Sequence, residues 1–127
     1  MRGNLVAIVD DDAAIRQGLS SLLRSAGYSV RLFASAEEYL ADQGSPQPDC
    51  VLTDIQMPGM SGLDLQDALA RSRPATPVLI MTAFPTVAIE ERAMAGGARK
   101  FLSKPFDAQV LLEALQEALA NGNEKGA

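Results

Sequence analysis

Residues 5–12 read Leu5-Val6-Ala7-Ile8-Val9-Asp10-Asp11-Asp12, five apolar side chains in succession followed by three acids. A strand wetted on one face alternates apolar and polar residues, whereas a strand covered on both faces reads as an unbroken apolar run. The segment therefore predicts a buried strand of a parallel sheet, with Asp10 and Asp11 carried at its carboxyl end. Downstream, Ile15, Leu19, Leu22, Leu23 and Ala26 recur at helical spacing on one stripe. Asp12 is placed to cap that helix and Gly27 to end it.

The same strand-then-helix unit recurs along the rest of the chain. Ser29–Phe33 alternates and reads as an edge strand, after which Ser35 caps a short helix through Ala41, with Glu38 completing a capping box. Gly44 to Pro48 is a turn-rich loop. Cys50–Thr53 forms a third strand ending at Asp54, and a loop through Met57-Pro58-Gly59-Met60-Ser61-Gly62 leads to a helix with Leu63, Leu65, Ala68 and Leu69 inward. Pro77–Met81 ends at Thr82, followed by a helix from about Pro85 to Ala95 with a thin apolar stripe of Ile89 and Ala93. Phe101–Ser103 ends at Lys104-Pro105, and a last helix from Asp107 to about Ala120 carries Leu111, Leu112, Leu115 and Leu119. Five such units predict an α/β fold: a single doubly wound (βα)5 domain with right-handed crossovers and helices on both faces. The usual strand order for five units is the flavodoxin-like 2-1-3-4-5. Residues 1–120 make the domain; residues 121–127 read as a tail or the start of a linker.

Composition narrows the function. The 127 residues fit one domain, and 47% hydrophobic content suffices for its core. No apolar stretch approaches the roughly 20 residues that span a bilayer, and the run after Met1-Arg2-Gly3-Asn4 is too short for a signal peptide. A lone cysteine, Cys50, forms no internal disulfide, suits a reducing cytoplasm and reads as a small buried hydrophobe. A net charge of −5 disfavours direct binding to nucleic acid. With no histidine in the chain, there is no Ser-His or Cys-His nucleophile pair and no imidazole ligand. A phosphoryl group arriving through histidine must come from a partner.

In an open parallel sheet, ligands bind beyond the carboxyl ends of the strands. Those ends here carry Asp10 and Asp11, Asp54, Thr82 and Lys104. Three carboxylates crowded there need compensation. A hard divalent cation such as Mg²⁺ suits carboxylate oxygens, and Lys104 brings an ammonium on a long stem. A carboxylate can also accept a phosphoryl group, a transfer that needs mainly positioning and charge neutralisation. Asp54 would carry the new bond, and Lys104 and the Thr82 hydroxyl would hold phosphoryl oxygens.

The strings IVDDD (8–12), LTDIQMPGMSG (52–62), MTA (81–83) and KFLSKPF (100–106) resemble, in order, the four signatures of response-regulator receiver domains of two-component systems. The resemblance covers residues 4 to about 120. It implies that Asp54 is the phosphoacceptor and a metal ligand, that Asp11 binds Mg²⁺ directly, and that Asp10 does so mainly through water. The backbone carbonyl of Gln56 would complete the ligand set. Thr82 would be the switch hydroxyl and Phe101 the switch aromatic, with Lys104 the phosphate partner and its bond to Pro105 cis. Ala95-Gly96-Gly97-Ala98 and Lys104-Pro105-Phe106 look closest to the FixJ/NarL-like subfamily, whose receivers precede a helix-turn-helix DNA-binding domain. The implied partners are a sensor histidine kinase, a second copy in a homodimer formed on phosphorylation, and DNA only through an output domain outside this chain. The chain would then be a truncated regulator or a stand-alone receiver, the linker-like tail favouring the former. Phe84-Pro85, in a loop often rich in glycine, and the polar Glu90-Glu91-Arg92 of the fourth helix depart from the subfamily's look.

Two other classes share parts of this chemistry. A phosphohydrolase of the haloacid-dehalogenase type also uses an aspartyl nucleophile, but places an Asp-x-Asp pair after the first strand. An FMN carrier on the same fold needs a hydroxyl-rich phosphate loop where three aspartates stand here. The expectation is therefore a signalling switch rather than an enzyme turning over an external substrate. Val110 and Ala114 are left open between a partner surface and a core edge.

Overall fold

The computed structural model describes residues 4–126 apart from residues 43 and 45, with side-chain burial described through residue 120. The readings made for residues 1–3, for positions 43 and 45 and for the side chains of the tail lie outside those described. The elements are β1 Leu5–Val9, α1 Ala13–Ser25, β2 Ser29–Phe33, α2 Ala36–Ala41, β3 Cys50–Asp54, α3 Gly62–Ser72, β4 Val78–Thr82, α4 Val87–Ala95, β5 Lys100–Ser103 and α5 Ala108–Gly126. The five strands form one sheet in the order β2-β1-β3-β4-β5, every pair parallel. This is the doubly wound arrangement that the apolar runs predict, in the flavodoxin-like order usual for five units.

Two hydrophobic layers sandwich the sheet, because successive residues of a strand face opposite sides. Val6, Ile8, Cys50, Leu52, Leu79 and Met81 pack under α1 and α5 through Leu19, Leu23, Leu111 and Leu115. Ala7, Val9, Val51, Val78 and Ile80 pack under α2, α3 and α4 through Tyr39, Leu65, Leu69 and Ala93. Burying each large aliphatic side chain contributes about 1.5–3 kcal/mol, so the fully buried β1, β3 and β4 form the rigid centre. Among the described residues no helix is long and apolar enough to cross a membrane.

Local details differ from the periodicity in several places. Ala26, on the expected buried stripe of α1, is exposed and serves as its C-cap, with Gly27 following at φ +98°. Ser35 caps α2, but the Glu38 carboxylate reaches one residue further back and accepts from the Ala34 N–H at 3.0 Å, not from that of Ser35. The reciprocal box forms instead at α3, between Ser61 and Asp64. Ala114 is core and Val110 is exposed, and α5 runs on past Ala120 to Gly126. Helix α4 is the most lightly packed of those with two turns or more. It buries Ala93 alone, and buried Gln66 of α3 donates to the Ala93 carbonyl at 2.8 Å.

Register brings the strand ends together. Val9 of β1 lies beside Thr53 of β3, so Asp10 and Asp54 leave adjacent strands side by side. Thr82 of β4 lies beside Ser103 of β5, which puts Lys104 one residue beyond it. The loop after Asp54 closes tightly: the Gly62 N–H donates to the Ile55 carbonyl at 3.0 Å, and a Cβ at residue 62 would overlap the Asp54 carbonyl oxygen. Gly62→Ala must push that backbone away. We expect it to lower the unfolding free energy by about 3 kcal/mol in urea denaturation, and a loss below about 0.5 kcal/mol would contradict the close approach.

Candidate functional site

At the carboxyl edge of the sheet, one carboxylate oxygen each of Asp10, Asp11 and Asp54 lies within 4.8 Å of the other two. Asp10 is fully buried and Asp54 is 6% exposed, while Asp11 stands in solvent. Lys104 faces the buried pair: its Nζ donates to Asp10 Oδ2 at 2.9 Å and lies 3.4 Å from Asp54 Oδ1. The second contact has the distance of an ion pair without the geometry of a hydrogen bond, and Asp54 Oδ1 is left buried with no hydrogen-bond partner. Asp10 is fully engaged. Its Oδ1 accepts from the Asp12 N–H at 2.9 Å, and its main-chain carbonyl accepts from Arg16 Nη1 at 2.7 Å.

The electrostatics follow from this crowding. Burial pushes the Asp54 carboxyl above the usual carboxylate range; the ammonium of Lys104 pulls it down and the charge of Asp10 pushes it further up. For Lys104 burial alone would lower the pKa, but the hydrogen bond it donates to Asp10 and the two carboxylate charges outweigh it and hold the ammonium on. One ammonium thus offsets two buried acids, with a third close by. An unpartnered buried carboxylate oxygen beside two further carboxylates is an all-oxygen donor set, and it fits a hard divalent cation. The single cysteine, Cys50, lies at the other end of β3 from Asp54, and burial pushes its thiol up to about 12.

Sequence reasoning brought Asp10, Asp11, Asp54 and Lys104 to this place, and the structure does the same. Thr82 is fully buried, and its hydroxyl is already committed. It donates to Gln56 Oε1 at 2.7 Å and accepts from the Phe84 N–H at 3.0 Å. Gln56 was singled out for its backbone carbonyl; its side chain as the Thr82 acceptor was not foreseen. Phe101 is half-buried against the layer under α2–α4. The Lys104–Pro105 bond is cis, and the Lys104 N–H donates to the Thr82 carbonyl at 2.7 Å. Arg16 was also missed. A basic residue in the first turns of a helix opposes the helix dipole, and that mismatch was the available signal that Arg16 serves the acidic loop.

The match to known proteins agrees with this geometry. A family model described as the response regulator receiver domain matches residues 6–116, and the chain belongs to that family. Within it, the transcriptional regulatory protein FixJ of Azorhizobium caulinodans is 38% identical over 122 residues, covering 95% of this chain and 57% of FixJ. Nodulation protein W of Bradyrhizobium diazoefficiens is 41% identical over 114 residues, 90% of this chain and 50% of that protein. The CheY-like receiver domain protein of Methanospirillum hungatei superposes with a TM-score of 0.91 at 28% identity, covering 97% of this chain and 98% of that one. The FixJ-like look of the motifs is consistent with these relatives. The chain spans about half the length of the curated relatives it matches.

The buried, incompletely compensated charge of Asp54 has a stability consequence. An Asp whose folded pKa is raised costs nothing below its unfolded pKa of about 3.9, and costs most above the raised value, where it is ionised in both states. Asp54→Asn should therefore raise the unfolding free energy by about 1–2 kcal/mol at pH 7 in chelator, and the gain should vanish below about pH 4. Urea denaturation across that range checks both, and a destabilised variant at pH 7 would contradict the assignment.

Proposed function

We propose that this chain is the phosphorylation-dependent switch of a two-component regulator, accepting one phosphoryl group on Asp54. The observation that carries the reading is the buried Asp54 oxygen without a hydrogen-bond partner, set beside two further acids and facing the Lys104 ammonium. In the transfer, a carboxylate oxygen of Asp54 forms the new O–P bond as the N–P bond of a phosphohistidine breaks, and the released imidazole takes up a proton. The histidine belongs to a sensor kinase, since this chain has none.

Asp11 and Asp54, with the Gln56 backbone carbonyl and with Asp10 acting through water, would hold Mg²⁺. The ion when bound supplies positive charge against the phosphoryl oxygens. Lys104 stands 3.4 Å from Asp54 Oδ1 and would neutralise a further oxygen. Thr82 would leave Gln56 to donate to the phosphoryl group, and Phe101 would turn inward behind it, altering the surface of α4, β5 and α5. The chain supports its own phosphorylation and dephosphorylation but turns over no external substrate. In the full-length protein this surface would act on a DNA-binding output domain, directly or through a homodimer, and so control transcription in the cytoplasm. The names of its relatives and their double length support that extension.

Intact-mass measurement after exposure to a small-molecule phosphodonor and Mg²⁺ tests the proposal. One phosphoryl group per chain, mapped to Asp54, is expected. Chelator and Asp54→Asn should each reduce uptake to background, with the variant still folded. Labelling of the Asn variant at the wild-type level would refute the assignment, and continuous turnover of a generic phosphate ester would favour a hydrolase.

A further inference from the structure

We propose that Glu37, on α2, is a positioning residue for this site: its carboxylate holds the β3–α3 loop in the shape that the cation-binding groups on and beside that loop require. The inference rests on the reading of Asp10, Asp11, Asp54 and Gln56 as the groups that hold Mg²⁺.

Two separate features of the loop converge on this one side chain. Glu37 Oε2 accepts from the Met60 N–H at 2.8 Å, across 23 residues of sequence. Beside it, Gly59 has φ +78°, and a Cβ there would stand 2.5 Å from the same oxygen. The loop therefore both offers a donor to the carboxylate and clears space for it. The hydrogen bond from Met60 holds the Glu37 carboxyl below its ordinary range, so the side chain is ionised when it makes this contact at neutral pH.

Glu37 has no core role to explain its placement, being exposed on the first turn of α2. The Met57 side chain is buried in the core and Met60 packs against it, and the loop's other hydrogen bonds lie at its base. Gly62 N–H donates to the Ile55 carbonyl, and the Gln56 carboxamide meets Thr82. Pro58 and Gly59 at the apex are exposed, and the bond from α2 fixes the chain there. Asp54 and Gln56 lie at the start of the same loop, so its shape decides where the Gln56 carbonyl stands relative to the Asp54 carboxylate. Groups that orient metal ligands from outside the coordination sphere commonly change affinity by about 10–100-fold when removed.

The test is a Mg²⁺ titration of the folded chain followed by amide chemical shifts, together with hydrogen exchange of the Met60 amide and urea denaturation. Glu37→Ala should weaken Mg²⁺ binding about tenfold and expose the Met60 amide to exchange. Glu37→Gln, whose carboxamide oxygen can still accept, should restore affinity to within about twofold of wild type. Gly59→Ala, which displaces the carboxylate, should reproduce the Glu37→Ala loss. Mg²⁺ affinity unchanged in Glu37→Ala while the Met60 amide opens would overturn the proposal and leave Glu37 a structural tie only. Failure of Glu37→Gln to restore binding would also overturn it, since charge rather than the hydrogen bond would then be acting. A wild-type chain whose Asp11, Asp54 and Gln56 amides ignore Mg²⁺ would overturn both this proposal and the reading it rests on.

Discussion

Two buried carboxylates share one ammonium at the edge of this sheet. Lys104 reaches Asp10 at 2.9 Å and Asp54 at 3.4 Å, and both acids are almost wholly removed from water. Desolvation of a charge is offset only when partners are close and well aimed, and here the partners cannot be divided evenly. Asp10 gains the lysine, a main-chain N–H and, through its carbonyl, Arg16. Asp54 is left with an oxygen that has the ammonium at 3.4 Å but accepts no hydrogen bond. That shortfall is the chemical resource of the fold, because a group left short of positive charge is ready to receive a cation and an electrophile. Such sites are commonly held at the expense of stability.

The scaffold explains how the shortfall persists. β1, β3 and β4 are buried on both faces, and their register sets where Asp10, Asp54 and Thr82 emerge. Lys104 follows from the far edge, its N–H tied to the Thr82 carbonyl. None of these backbones can relax toward water without opening the two hydrophobic layers. The acids stay crowded because the strands that carry them are the least movable parts of the molecule.

The sheet and its acidic edge were legible in the sequence because each rests on local pattern. Unbroken apolar runs mark doubly covered strands, and a polar residue directly after such a run must stand at the sheet edge. Asp10 and Thr82 were recognisable by that rule before any distance was known. What escaped notice depends on contacts between distant segments. The bonds Thr82 to Gln56, Gln66 to Ala93 and Met60 to Glu37 span 26, 27 and 23 residues, and no spacing rule connects their ends. Gln66 shows the difficulty well: a polar residue by type, it is 3% exposed and anchors α4. The capping box was placed on the wrong helix for a related reason. Ser35 and Glu38 fit the pattern by residue type, whereas Ser61 and Asp64 satisfy it in space with a shorter acid.

The two bonds of the Thr82 hydroxyl carry a last implication. Its partners, the Gln56 carboxamide and the Phe84 amide, belong to residues at the solvent-facing rim. In the proposed switch the hydroxyl would turn away, and water can reach both groups, so neither would be stranded with an unmet polar atom. The proposed turn of Thr82 would then carry no desolvation penalty at these two groups, which lowers the bias a single added group at the neighbouring strand must supply.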